Sequence, residues 1–171
     1  MKIRTDFVTN SSSSSFMTVR LTTAKKGEIC FSADIDLEIP EDDEMLQTLL
    51  GMKSVEELMS YLELSEEDCT YRLNDFSMEN ITIDDIEKIR VTAGYIPGEE
   101  LWDILEDNGI DPEEIEDWES KETMDMLKKT ITNLCLDWEG DYALASATEY
   151  DLKAKTAKEV PVEPDDTYCM I

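Results

Sequence analysis

Histidine is absent from the 171 residues. That removes Ser–His and Cys–His nucleophile systems, imidazole general-base work at neutral pH, and mixed cysteine–histidine zinc sites. Cysteine is scarce and unpaired in sequence. Cys30, Cys69, Cys135 and Cys169 form no C-x-x-C motif, so four free thiols in a reducing compartment are expected, and no zinc site. Only six glycines are present, and none builds a phosphate-cradling loop followed by Lys-Ser or Lys-Thr. No run of eighteen apolar residues exists, and the first residues carry no apolar signal segment. A cytoplasmic chain without a membrane span or cofactor is therefore expected.

Positive charge is the other shortage. Fifteen Lys and Arg face 42 Asp and Glu, a net charge of −27. The imbalance is concentrated: residues 34–125 hold 31 acids and five bases (Lys53, Arg72, Lys88, Arg90, Lys121). Residues 1–33 are net +3, and residues 126–171 net −4. Acids alternate with Leu, Ile, Met and Trp through the middle, a pattern of acidic surface over an apolar core. Such a surface disfavours nucleic acid and anionic lipid and suits a basic protein or peptide.

The opening reads Arg4-Thr5-Asp6-Phe7-Val8-Thr9-Asn10, then Ser11, Ser12, Ser13, Ser14, Ser15 and Phe16. A serine run favours loop over helix or strand. Residues 1–16 are expected to form a flexible leader, with Asp6, Phe7, Asn10, Ser11 to Ser15 and Phe16 as a recognition segment. The string resembles a leader shared by many uncharacterised proteins of anaerobic Gram-positive bacteria and their mobile elements, where it precedes unlike bodies. The resemblance covers about a tenth of the chain. It implies a bacterial, intracellular source and a handling step common to the tagged bodies. It carries over no catalytic residue.

Residues 17–160 read as one acidic α+β domain, and residues 161–171 as a tail. Two strands are expected over residues 16–39, joined by a turn at residues 22–27. In the second strand Asp34, Asp36 and Glu38 point outward by period-two alternation. Helices are predicted over 41–51 and from Ser54, where Ser54 and Glu57 form a capping box. The alternation after Cys69 is weak. A strand follows over 86–95, then helices over 99–107 and 121–134, with Asp111-Pro112 as a cap between them. Tyr142 to Thr148 and Tyr150 to Thr156 are expected to pair as antiparallel strands. The fold class is α+β: a mostly antiparallel sheet of about four or five strands packed against three or more helices.

Asp34, Asp36 and Glu38 come nearest to a cation site, although a hydrated strand face is the favoured reading. Trp102, Trp118 and Trp138 are candidates for a groove. Lys88 and Arg90 are expected to pair with neighbouring acids. Function reads as a non-enzymatic interaction or adaptor module. The alternatives are an enzyme using carboxylates and a divalent metal, or a nucleic-acid mimic that inhibits a basic protein. Oligomeric state is not legible. If the carboxylates coat the surface, sodium chloride raises the thermal midpoint, and calcium or magnesium adds nothing at matched ionic strength. A saturable excess shift from either divalent ion would reveal a real cation site.

Overall fold

A computed structural model describes residues 14–24, 27–73, 79, 81–137 and 140–167. Its centre is the pairing of β1 (Ser14–Thr23) with β4 (Ile86–Ile96), which are antiparallel from Ser14↔Ile96 to Thr23↔Ile86. β2 (Glu28–Ser32) folds back on β1 as a hairpin, and β3 (Cys69–Leu73) adds outside β2. On the other side β6 (Tyr142–Asp151) pairs with β4 along eight positions. The far edge of β6 is shared. β5 (Leu134–Leu136) takes residues 142–144, and β7 (Thr156–Val160) takes residues 147–151. The order is β3-β2-β1-β4-β6-β5, with β7 also on β6, and each of these pairings is antiparallel.

The sheet thus has seven strands, which corrects the four or five expected from sequence. β3 is short, and its alternation is too weak to separate it from loop. β5 hides behind a helical period that runs on to Leu134. The helix α4 (Lys121–Thr130) stops four residues before the predicted end, and Asn133 adopts a left-handed φ of 67°. β6 runs without a break through residue 149, joining the first expected strand to the start of the second. The reversal comes at residues 152–155, where the Asp151 carboxylate accepts the amides of Lys153 and Ala154 and Lys155 has φ 59°. β2 ends at Ser32, so Asp34 and Asp36 lie beyond the strand. There the Asp34 side chain accepts the Asp36 amide at 2.9 Å.

Alternation divides the sheet into two faces. Met17, Val19, Leu21, Ile29, Phe31, Ile89, Val91 and Ala93 meet α1 (Asp42–Leu50) and α2 (Val55–Tyr61) through Met45, Leu46, Leu49, Val55, Leu58 and Leu62. Helices this short are marginal alone, and burial of these side chains, at about 1.5–3 kcal/mol each, holds them. Ser54 accepts the Glu57 amide, and the Glu57 carboxylate reaches the Lys53 amide. A second apolar cluster joins α3 (Glu100–Asp107) and α4 to the sheet through Leu105, Leu127, Ile131, Leu134 and Leu144. The opposite face is more polar: Thr18 and Arg20 of β1 lie beside Thr92 and Arg90 of β4. A short helix, α5 (Pro164–Thr167), contacts β1 there.

Gly94 faces Phe16 of β1 and Ala145 of β6 in register. A Cβ on Gly94 would stand 2.5 Å from the Ala145 Cβ and 2.6 Å from its Cα, and would also strike the Leu144 carbonyl. These neighbours are a strand backbone and its first side-chain atom, so they cannot swing away. Gly94→Ala is therefore expected to cost about 1–3 kcal/mol by overpacking, read as a lower denaturation midpoint in urea. Unchanged stability would mean that β4 and β6 are not this close.

Candidate functional site

Among the described residues only Asp137 and Asp166 are buried carboxylates, and no group of three or more His, Cys, Asp or Glu is placed to hold a metal ion. Asp137 closes the β5–β6 turn, where its carboxylate accepts the Asp141 amide at 2.8 Å. Asp34, Asp36 and Glu38 are all exposed. Of the recognition segment, Asp6, Phe7, Asn10, Ser11, Ser12 and Ser13 lie outside the described residues. Ser14, Ser15 and Phe16 open strand β1, paired with Ile96, Tyr95 and Gly94, and Phe16 is buried.

The aromatic candidates come together at the α3–α4 end. Trp102 of α3 is 47% exposed, an unusual position for so large an apolar surface. Its ring lies 6.4 Å from Trp118 at a tilt of 41°. Trp118 in turn meets Tyr142 edge-on, 6.0 Å between centroids at 68°. The Tyr142 hydroxyl donates to the Trp118 carbonyl at 2.8 Å, which ties this loop to β6. Burial raises the Tyr142 phenol pKa, so it remains a neutral donor. Trp118 and Tyr142 also line a groove of about 960 Å³ with Ile96, Leu101, Met124 and Leu136. Glu119, Asp125 and Asp141, together with Lys121 and Lys128, supply its charged lining. Trp138 lies outside the described residues.

The loop around the two tryptophans is built by local rules. Pro97-Gly98 ends β4, with Gly98 at φ 58°, and Asp111 caps the single turn Pro112–Glu114 by accepting the Glu113 amide at 3.0 Å. Ser120 caps α4 by accepting the Thr123 amide at 3.1 Å. Residues 99–119 contain eleven Asp and Glu and no Lys or Arg. Ten of these acids are exposed; Glu100 is half-buried. The acidity was legible in sequence, but the contact of Trp102 with Trp118 was not, because the intervening turn sets it.

A second charged cluster lies on the polar face of the sheet. Lys88 and Arg90 both reach Glu149 of β6, at 3.6 and 3.4 Å. Arg90 and Arg20 both reach Asp166, at 2.7 and 3.0 Å. Burial acts to lower the Arg20 pKa, but Asp166, Glu28, Cys30 and Glu163 outweigh it and hold the guanidinium charged. Sequence reasoning missed Asp166, which lies in the stretch read as a tail. Lys153, in the exposed basic row with Lys155 and Lys158, donates to the Asp84 carbonyl at 2.8 Å.

Two of the cysteines, Cys30 and Cys135, are buried in the sheet. Burial pushes the Cys135 thiol up to about 11. No protein family, curated protein or solved structure matches the chain. No helix of the described residues is long and apolar enough to cross a membrane.

Tyr150 links the sheet to α1, donating to the Asp42 carboxylate at 3.5 Å. Burial first, and then the Asp42 charge, push its phenol well above the ordinary value of 10. Above pH 10 the unfolded chain releases this proton while the folded chain keeps it, so stability falls as pH rises. Tyr150→Phe removes that loss. The gap between parent and variant thermal midpoints should shift in favour of the variant from pH 8 to pH 11. A constant gap would place Tyr150 in a more hydrated setting.

Proposed function

We propose that the chain is a protein-binding module whose α3–α4 end takes a basic segment of a partner protein. The observation that carries this reading is Trp102: 47% exposed, in tilted ring contact with Trp118, and carried by a stretch with eleven acids and no base. An indole face attracts a guanidinium or ammonium group by about 0.5–1 kcal/mol at an exposed site. The surrounding carboxylates steer such a group in and reject acidic competitors. The adjoining groove, with Leu101, Met124 and Tyr142, offers room for an apolar anchor beside the cation. Lys121 and Lys128 in its lining favour a ligand of mixed character over a pure polycation. The leader resemblance fits a tagged adaptor, since a common leader on unlike bodies suits proteins handled by one partner.

Net charge alone will draw any polycation, so the test needs a variant of unchanged charge. A synthetic peptide of alternating arginine and leucine is titrated into parent and Trp102→Ala, with a glutamate–leucine peptide as control. The parent should bind the arginine peptide, and Trp102→Ala should bind it about two- to five-fold more weakly, the loss of one cation–π contact. Equal affinity for parent and variant would leave only non-specific attraction and end this reading.

A further inference from the structure

Arg20 and Arg90 are register partners on the two central strands, so their side chains leave the sheet on the same face, away from α1 and α2. Such a pair in the middle of a sheet needs a counter-charge, and Glu149 on β6 supplies one for Arg90 alone. The second comes from residues 161–167. The Asp166 carboxylate stands 2.7 Å from Arg90 Nη2 and 3.0 Å from Arg20 Nη2, with its side chain 1% exposed. The same carboxylate accepts the Glu163 amide at 2.8 Å, and the Asp166 carbonyl accepts the Thr18 hydroxyl at 2.8 Å. Arg90 Nη2 also donates to the Pro161 carbonyl.

The fit is incomplete. A guanidinium recognises an oxyanion best through two parallel N–H donors. Asp166 engages one terminal nitrogen of each arginine. Arg90 Nε has no hydrogen-bond partner among the described residues, although its side chain is only 9% exposed. Asp166 Oδ1 lies close to Arg20 but outside hydrogen-bond geometry. A buried guanidinium, Arg90, and a half-buried one, Arg20, therefore share the Asp166 carboxylate and leave a buried donor over. An anion with more oxygens in that position would use it.

Residues 161–167 are held on this face largely by polar contacts. Val162 is half-buried against Phe16, Cys135, Ala143 and Ala145. The ion cluster and its hydrogen bonds add to this attachment. Buried ion pairs recover in Coulomb energy roughly what they lose in desolvation, so the ion pairs by themselves add little net stability to this docking. With Asp166 withdrawn, Arg20, Arg90 and Lys88 face Glu149 and Glu28, a cationic remainder in a chain of net charge −27.

We propose that Arg20 and Arg90 form a binding site for a phosphate group, that Asp166 is its internal ligand, and that residues 161–167 are a latch which phosphate displaces. The tetrahedral dianion replaces one carboxylate with four oxygens, reaches both guanidinium forks, and gives Arg90 Nε an acceptor. Freeing the latch releases the Thr18 hydroxyl, which now donates to the Asp166 carbonyl on the same face. The site is separate from the tryptophan end and does not rest on its proposed role.

The full-length chain carrying Asp166→Asn or Asp166→Ala is compared with the parent by thermal unfolding in inorganic phosphate and in sodium chloride at equal ionic strength. Asp166→Asn keeps the side-chain shape and an acceptor for the Glu163 amide while removing the charge. The expected result is a saturable phosphate stabilisation beyond chloride, at about tenfold less phosphate in Asp166→Asn than in the parent, because the competing ligand is weakened. Adding Arg90→Gln should abolish it. If Asp166→Ala fails to fold, Asp166→Asn and amide exchange at Glu163 in the parent, which phosphate should speed, carry the test. O-phosphoserine in a parallel arm separates sources: equal potency assigns a phosphorylated side chain, and response to inorganic phosphate alone assigns the free ion. Identical responses to phosphate and chloride in the parent and in Asp166→Asn would overturn the proposal and leave the cluster as a fixed clamp.

Discussion

Ten residues of β1 run against eleven of β4, and the parity of that ladder governs what the rest of the chain can do. One side of it is Met17, Val19, Leu21, Ile89, Val91 and Ala93, which demands an apolar cover and receives the helices. The other side is Thr18, Arg20, Arg90 and Thr92, which demands polar partners and receives Asp166 and Glu149. A slip of one residue would turn arginines toward Met45 and Leu58 and leave valines beneath Asp166. Gly94 lets β6 close against this ladder at its narrowest point.

Charge is sorted along the same division. Arg20 and Arg90, with Lys88 at the rim, sit on the sheet, while many of the acids occupy helix starts, turns and the α3–α4 connection. The first turns of α1 and α2 are rich in Asp and Glu, which suits the positive end of a helix. Their last turns carry no base, so the carboxyl ends of these helices gain nothing from charge. Apolar burial must hold them against mutual repulsion of the surface acids. Salt and alkaline pH act on this balance in opposite directions, the first by screening and the second by favouring the deprotonated unfolded chain.

Elements with a local cause were legible in the sequence. Ser54 and Glu57 mark α2, Asp111-Pro112 marks its turn, and alternation marks β1 and β4. The elements that were missed depend on distant partners. β6 is buried continuously from Ala143 to Thr148, so alternation vanishes and one strand is easily read as parts of two. β5 is three residues long and exists because β6 offers an edge. Asp166 lies among prolines and acids that read as a tail, yet its side chain meets an arginine 76 positions earlier and its carbonyl a threonine 148 positions earlier. The tryptophans were visible as candidates, but their contact needed the turn between them.

The far edge of β6 is divided between a strand of three residues and one of five. Two short segments in tandem leave no long straight row of free amides and carbonyls for another molecule to copy. Lys158 on the longer segment is exposed and would meet its own like in an in-register pairing of two copies. A chain built around a broad antiparallel sheet thereby discourages its own stacking into fibres, a safeguard that remains even where high salt masks the repulsion between copies.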